Sequence, residues 1–215
     1  VRERRNAVPL VTEGDVDESM VDFVAGVAQE AYDADNGGFG HEPKFLYASA
    51  LSLLLARLAA DAPGDNGEIL RTTLEKMAAG GIYDQVAGGF FRYSTTEDWS
   101  IPHFEKLLED NAALMAVYAE AYSLSADAGY AKTIYGIQGW LTAVLLDTVS
   151  GAFGGSQDAD AQYYRMTEAE TQPVAAPDLD RTVLARPNAP AATARRPAPH
   201  APALAPARSQ ALAAA

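Results

Sequence analysis

The chain has 215 residues, of which 48% are hydrophobic, and it contains no cysteine. The length suits one sizeable domain or two small ones, and the lack of cysteine excludes a disulfide scaffold, a thiol nucleophile and a thiolate metal site. The formal net charge of −13 repels phosphate backbones, so nucleic acid is not an expected partner. There is neither an apolar run long enough to cross a membrane nor a signal peptide, so we predict a cytoplasmic protein without a membrane partner.

Apolar periodicity predicts helices along most of the chain. After a polar lead-in at 1–15, residues such as Val16, Met20 and Phe23 recur at the spacing of one helical face. The predicted helices cover 16–33, 45–60, 67–79, 102–124 and 130–149. The fourth begins at Pro102 because proline is tolerated in a first helical turn. No alternating run of β-branched residues predicts a strand, so the fold class is all-α.

The connections between these helices alternate in kind. Long loops rich in glycine and aromatic residues lie at 33–45, 80–101 and 150–162, and short polar turns lie at 61–66 and 125–129. If successive helices pack antiparallel, all three long loops fall at the same end of the helices. We therefore expect them to form a common rim.

The long loops also resemble each other. Each contains a glycine, a small residue and a phenylalanine, at Gly37-Gly38-Phe39, Gly88-Gly89-Phe90 and Gly151-Ala152-Phe153. A repeat of helix pairs with a period of roughly 50–60 residues predicts a helical-hairpin array or a partial α/α toroid of about five helices. The alternative is that each glycine pair only ends a helix and each phenylalanine covers that end.

The composition changes near residue 165. Residues 165–215 have no aromatic residue and are rich in alanine and proline, which predicts a disordered tail. The predicted organisation is therefore a lead-in at 1–15, a helical domain at 16–164 and the tail at 165–215. The tail's Ala/Pro/Arg bias also fits a shifted reading frame of a GC-rich gene.

The most distinctive stretch is GGIYDQVAGGFFRYSTTEDWSIPHFEKLLEDNA, from Gly80 to Ala112. With DNGGFGHEPKF before it and GGSQDADAQYY after it, it resembles the thioredoxin-domain-containing/spermatogenesis-associated protein 20 family over residues 33–164. The resemblance implies a six-hairpin α/α toroid, similar to N-acylglucosamine 2-epimerases and six-hairpin glycosidases, and a sugar-related role. That family joins the toroid to a thioredoxin-like domain, which this chain lacks together with the later hairpins. We therefore expect a partial domain.

The predicted fourth helix carries the first candidate catalytic groups. On a helical wheel, His103 and Asp110 lie at the edge of the apolar face, whereas Glu105 and Glu109 point away from it. Asn111 lies within the apolar face and must therefore be hydrogen-bonded or face a cavity. We predict catalytic roles for His103 and Asp110 and a substrate-binding role for Asn111. The alternative for His103 is that it only caps or lines the loop.

Two further carboxylates, Asp158 and Asp160, follow the last long loop. They could supply a general acid, and they are predicted as catalytic. Two carboxylates are too few for a dedicated cation site, so no metal is expected. The alternative is an Asx turn that caps a helix.

The middle loop supplies the remaining predicted substrate-binding residues. Its aromatic rings could stack on sugars, and its charged side chains could orient hydroxyl groups. The set comprises Tyr83, Asp84, Phe90, Arg92, Tyr93 and Trp99. An arginine–aspartate pair that only holds the loop is the alternative. The glycines lack the context of a phosphate-binding loop, and no cofactor is expected.

Three functional hypotheses follow. The first is a fragment of a carbohydrate-active or carbohydrate-binding toroid with its cleft at the rim, whose full-length form would act as a sugar epimerase/isomerase or glycosidase. The second is a non-catalytic scaffold for a thioredoxin-like domain. The third is a non-functional product of a disrupted gene.

Overall fold

A computed structural model of the chain describes residues 17–166 and 174–192. Within them, the α-helices are α1 (Glu18–Glu30), α2 (Ala48–Ala59), α3 (Asn66–Ala79), α4 (Leu108–Ser125), α5 (Ala128–Trp140) and α6 (Ala185–Ala191). A π-helical turn at Leu141–Leu145 extends α5, and a 3₁₀ turn covers Tyr163–Arg165. The strands are β1 (Lys44–Phe45), β2 (Tyr93–Ser94), β3 (Pro102–His103), β4 (Lys106–Leu107), β5 (Ser156–Gln157) and β6 (Leu179–Asp180).

Helix α4 is the centre of the packing. It lies against α2, α5 and α6, and α2 in turn lies against α1 and α3. Leu54 of α2, Leu74 of α3 and Val117 of α4 have no exposed surface, and the hydroxyl of Tyr118 donates to the carbonyl of Leu74 at 2.8 Å. This helical core confirms the predicted all-α class and the partial toroid.

Two small sheets were not predicted, because strands of two residues are too short to show alternation. Their strand orders are β1-β2-β3 and β4-β5-β6, and all pairs are antiparallel. The first sheet joins the loop after α1 to the loop after α3, and the second joins the end of that loop to the loop after α5. The three long loops therefore lie side by side, as the alternation of connections predicted.

The predicted start of the fourth helix is wrong. Pro102–His103 pairs with β2 and Lys106–Leu107 pairs with β5, so the backbone of this segment serves two sheets and α4 begins only at Leu108. The proline was compatible with a first helical turn, but it also suits a short strand at the edge of a sheet. His103 and Asp110 consequently do not share a helical face.

The three long loops contain one repeated backbone motif, at 33–39, 84–90 and 147–153, here called the Asp–Gly loops. In each, the aspartate N–H donates to the carbonyl of the residue before phenylalanine, at 3.0, 2.9 and 2.8 Å. The glycine four residues after the aspartate donates to the aspartate carbonyl, at 2.7, 2.9 and 2.8 Å. Gly37 and Gly88 have φ angles of +70° and +78°, which favour glycine. The phenylalanine rings are buried as well. The interpretation of the loops as a repeat is therefore compatible with the alternative, in which each phenylalanine covers a helix end.

A buried lysine closes each of the first two Asp–Gly loops. Lys44 Nζ lies 2.5 Å from Asp33 Oδ2 and 2.9 Å from the carbonyl oxygen of Gly37. Lys106 Nζ lies 2.6 Å from Asp84 Oδ2 and 2.8 Å from the carbonyl of the equivalent glycine. Burial alone would raise the pKa of Asp33, but the hydrogen bonds from Lys44 and Asn36 outweigh it and lower that pKa to about 2.

Two asparagines hold the phenylalanine backbone of the second and third loops. Asn111 accepts from the N–H of Phe90 and donates to its carbonyl, and Asn188 forms the same two bonds with Phe153. Each asparagine also donates to the carbonyl four residues before it. The two helix starts are therefore equivalent units of the repeat.

Residues 174–192 correct the prediction that disorder begins at 165. Strand β6 pairs with β5, and α6 packs on α4 with Ala191 fully buried. Their backbone hydrogen bonds with the third loop supply the stability that their composition did not indicate. The lead-in at 1–15 and the parts of the tail at 167–173 and 193–215 lie outside the described residues.

Replacing Asn111 should destabilise the fold strongly. Asn111→Ala leaves the buried N–H and carbonyl of Phe90 without partners, and we expect a loss of about 3 kcal/mol in the free energy of unfolding. Asn188→Ala removes the same bonds at a half-buried position and should lose about 1 kcal/mol. Urea denaturation followed by circular dichroism measures both values, and equal losses would contradict the assigned difference in burial.

Candidate functional site

Four polar or aromatic side chains meet beside the antiparallel pair β2–β3, and we call them the rim cluster: Arg92, Tyr93, His103 and Glu105. Tyr93 and His103 are partners in the strand register, and their rings stack with centroids 4.9 Å apart and planes at 10°. Arg92 Nη1 lies 2.9 Å from Glu105 Oε2, and His103 Nε2 lies 3.7 Å from the same oxygen. The cluster therefore contains a cation, a carboxylate and an imidazole on a rigid strand pair.

A cavity of about 790 Å³ opens beside the rim cluster, between the N-terminal ends of α2 and α4. We call it cavity A. It is lined by Phe45, Leu46, Tyr47, Ala48, Ser49, Ser52, Arg92, Leu107, Glu109, Asp110, Ala113, Ala116 and Arg186. Arg92 belongs to both the cavity and the cluster, and the ring of Phe45 lies 5.2 Å from that of Tyr93. Cavity A is thus continuous with the cluster.

Asp110, which lines cavity A, has a strongly raised pKa. Burial is the main cause that raises the pKa of Asp110 to about 6; the charges of Glu109 and Glu105 act in the same direction, and Arg92 opposes them. A carboxyl group with such a pKa changes protonation near neutral pH. It can therefore give or take a proton under ordinary conditions.

A second cavity, cavity B, has a volume of about 420 Å³ and lies on the other side of β4. It is lined by Asp84, Val86, Ala87, Ala143, Val144, Gln157, Tyr163, Tyr164, Met166, Ala176, Pro177, Leu179 and Arg181. Beneath it lies Lys106, whose ammonium is 5.0 Å from the ring centre of Phe91 and 5.3 Å from those of Trp140 and Tyr164. Burial lowers the pKa of Lys106, while Asp84 acts in the opposite direction.

The structure places the predicted binding residues in several different environments. Arg92 and Tyr93 belong to the rim cluster, and Asp84 lines cavity B while it holds Lys106. Tyr83, which is 7% exposed, lines a further pocket beside α5, whereas Phe90, Trp99 and Asn111 are packed inside the protein and have no exposed surface. A ligand cannot reach these buried side chains without unpacking the core. Arg92 pairs with Glu105 and not with an aspartate.

Asp158 and Asp160 lie in the turn after β5. The N–H of Asp158 donates to the carbonyl of Asp178, and Asp160 Oδ1 accepts from the N–H groups of Gln162 and Tyr163. Asp160 therefore forms an Asx turn that leads into the 3₁₀ turn, in line with the Asx-turn part of the alternative given for this pair. A catalytic role for either residue remains a prediction. Among the described residues, no group of three or more histidines and carboxylates is placed to hold a metal ion.

Sequence reasoning missed the role of the lysines and misplaced Glu105. Glu105 was placed away from the site only because a helix was assumed from Pro102 onward. Lys44 was considered only as a weak candidate and Lys106 was not singled out, although each follows an Asp–Gly loop and is followed directly by an apolar residue, in PKF and EKLL. A lysine in such a context is a sign of a buried ion pair, because lysine is rarely buried without a partner.

Asp110→Asn should remove part of the pH dependence of stability. The pKa of Asp110 rises from 3.8 to about 6 on folding, so the folded state binds protons more tightly than the unfolded chain. This contribution to stability is fully present below pH 3.8 and is lost as the pH rises through 6. The non-titrating variant should therefore gain stability relative to the native chain between pH 4 and pH 7.

Urea denaturation at intervals of one pH unit gives this comparison directly. Glu120→Gln, an exposed change on the same helix, provides the control and should follow the native profile. Parallel profiles for the native chain and Asp110→Asn would contradict a raised pKa at this carboxyl group.

No helix in the described part of the chain is both long and apolar enough to cross a membrane. No family model matches the sequence. Spermatogenesis-associated protein 20 from Mus musculus is 42% identical to this chain over 137 residues, covering 61% of the chain and 17% of the mouse protein. The Homo sapiens protein of the same name gives the same identity and coverage. The chain thus spans about a sixth of the length of the curated relatives it matches.

Solved structures with a similar fold include proteins named as sugar epimerases and a glycoside hydrolase. Cellobiose 2-epimerase from Spirochaeta thermophila superposes with a TM-score of 0.55 at 16% identity, covering 65% of this chain and 39% of the epimerase. A family 76 glycoside hydrolase from a bovine Bacteroides thetaiotaomicron strain gives a TM-score of 0.54 at 11% identity, covering 72% and 33%. At these identities the likeness concerns the fold alone.

The resemblance inferred from the loop motifs is therefore confirmed. Over 61% of its length the chain is similar to spermatogenesis-associated protein 20, and it folds as part of an α/α toroid.

Proposed function

We propose that cavity A binds a sugar or a sugar derivative. The observation that carries this proposal is that exposed aromatic rings and ionisable groups line one cavity. Phe45 and Tyr47 are 39% and 50% exposed, and Arg92 and Asp110 line the same space. Aromatic rings stack on the apolar faces of sugars, and charged side chains hydrogen-bond to the hydroxyl groups, so the lining suits such a ligand.

The acid–base groups are suited to chemistry on that ligand in the longer protein. Asp110 has a pKa of about 6 and lines the cavity. His103 lies in the neighbouring rim cluster, near Glu105. An epimerase-like reaction removes and returns a proton, and a glycosidase-like reaction protonates a leaving oxygen. Asp110 is the proposed proton donor or acceptor in either case, and His103 is the proposed second group.

The fold supports the same proposal. The structural neighbours are named as a sugar epimerase, cellobiose 2-epimerases and a glycoside hydrolase. Because this chain spans only 33–43% of those chains, turnover is proposed for a longer protein and binding for the chain itself.

A second candidate function is protein contact through α1. Met20, Phe23, Val24 and Val27 of this helix are 50%, 73%, 54% and 51% exposed. An apolar helix face of this kind usually packs against another element. The partner proposed for it is a thioredoxin-like domain, as the family resemblance implies.

Titration with cellobiose tests the sugar proposal. We expect saturable amide chemical-shift changes in the residues around Asp110, measured by heteronuclear NMR on the full chain. Asp110→Asn should weaken the affinity about tenfold through loss of a charged hydrogen bond. Ala116→Phe places a ring in cavity A from an exposed position and should abolish binding.

The matched control is Ala143→Phe, the same substitution in the lining of cavity B. It should leave the affinity for cellobiose unchanged. If neither cellobiose nor a panel of common pyranoses shifts any resonance of cavity A, the sugar proposal is wrong.

Capture experiments test the contact function separately. An immobilised thioredoxin-like domain of the resembling family should retain this chain, and Phe23→Ser should reduce the retained fraction several-fold by removing exposed apolar area. Ala116→Phe should be retained like the native chain. Equal retention of native chain and Phe23→Ser would exclude α1 as the contact.

A further inference from the structure

Cavity B is not used by the proposed sugar site. Most of its wall is aliphatic, including Val86, Val144, Leu179 and Pro177, and Tyr163 adds an aromatic ring. Its volume of about 420 Å³ falls within the range of small-molecule pockets. A ligand for this space must therefore have a compact apolar body.

The carboxylate in the lining does not make the cavity acidic. Asp84 Oδ2 accepts from Lys106 Nζ at 2.6 Å, and Asp84 Oδ1 accepts from the N–H groups of Val86 and Ala87 at 2.9 and 3.0 Å. The ammonium balances the charge of the carboxylate, and both carboxylate oxygens are occupied. Asp84 thus offers little to a cation and repels an anion only weakly.

The other polar groups around cavity B are donors. The Oε1 atom of Gln157 accepts from the indole of Trp140 at 3.0 Å, so the group that Gln157 can offer a ligand is its NH₂. The hydroxyl of Tyr164 is shielded from solvent and has no hydrogen-bond partner within the described residues. Burial raises the pKa of Tyr164, so this hydroxyl keeps its proton. Both groups require an acceptor.

Arg181 adds a positive charge to the same lining. It is exposed, and within the described part of the chain no carboxylate oxygen lies within 4 Å of its guanidinium. Arginine pairs with carboxylates through two parallel hydrogen bonds. The guanidinium in the lining therefore selects a ligand with a negatively charged acceptor group.

We propose that cavity B binds a small apolar carboxylic acid, with its carboxylate at Arg181 and its hydrocarbon body against the aliphatic wall. The site is separate from cavity A because Lys106 and Leu107, neighbours on β4, point to opposite faces of the strand. A ligand of one cavity therefore leaves the other accessible.

Octanoate is the probe, and the two tryptophans are the reporters. The indole N–H of Trp140 donates to Gln157 beneath cavity B, whereas that of Trp99 donates to the carbonyl of Asn36 in the first loop. Octanoate added to the full chain should shift the indole resonance of Trp140 in a saturable manner and leave that of Trp99 in place. 1-Octanol, which has no charge, should bind about tenfold more weakly.

Variants separate the charge from the shape of the cavity. Arg181→Gln should weaken octanoate binding about tenfold and leave octanol binding unchanged. Ala143→Phe should abolish the binding of both probes, and Ala116→Phe, the matched change in cavity A, should affect neither. If Ala143→Phe loses its helical circular dichroism, Arg181→Gln decides alone.

An unmoved Trp140 resonance at millimolar octanoate would overturn the proposal. Octanol binding as tight as octanoate binding, or an Arg181→Gln variant with native affinity for octanoate, would overturn the assignment of the carboxylate. None of these outcomes depends on sugar binding in cavity A.

Discussion

The loop rim depends on two ammonium groups that have no contact with water. Burying an unpaired lysine costs several kcal/mol, so its position is tolerated only where partners surround it. Lys44 and Lys106 each contact an aspartate carboxylate and a glycine carbonyl, and each also lies over at least one aromatic ring. The two glycines that supply these carbonyls, Gly37 and Gly88, adopt positive φ angles, which favour glycine. Aspartate, glycine and lysine thus form one unit that fixes the path of the loop.

Strand β4 transmits this constraint to both cavities. Lys106 extends from it toward Asp84 and the floor of cavity B, and Leu107 extends from it into the lining of cavity A. Because the backbone of β4 is also paired with β5, the ion pair and the sheet hold the strand from two sides. The positions of Asp110 and Gln157 relative to the rim therefore follow from the same buried charge.

Sequence patterns predicted the parts of this arrangement that are local. Helices α2 and α3 lie within three residues of their predicted bounds, because apolar periodicity and nearby breakers are properties of a short window. The Asp–Gly loops were visible as a glycine–phenylalanine repeat for the same reason. His103 was misplaced because Pro102 is compatible with a helix start and with a strand, and only the pairing of His103 with Tyr93, an earlier part of the loop, decides between them. Strands of two residues are too short to show an alternation of apolar and polar residues, so the sequence does not reveal such non-local pairing.

For Asn111, the helical pattern predicted burial correctly but did not identify the hydrogen-bond partner. Its position in an apolar arc required either a tied loop or a cavity, and the structure shows that the amide holds the backbone of Phe90. The choice depends on a loop that lies 21 residues away in sequence, which no helical wheel contains. Burial and bonding were therefore predictable for this residue, but its partner was not.

The third Asp–Gly loop shows that a local motif can outweigh composition. It has no lysine: Asp147 Oδ2 accepts from the hydroxyl of Ser150, and Asn188 holds the backbone of Phe153. Composition predicted disorder for the segment that supplies Asn188, which includes a proline within α6. Composition averages over many residues, whereas a leucine followed four residues later by asparagine occurs at both helix starts, Leu107 to Asn111 and Leu184 to Asn188. The two hydrogen bonds between the Asn188 side chain and the backbone of Phe153 therefore attach this short helix to the third loop in the same way that Asn111 attaches α4 to the second.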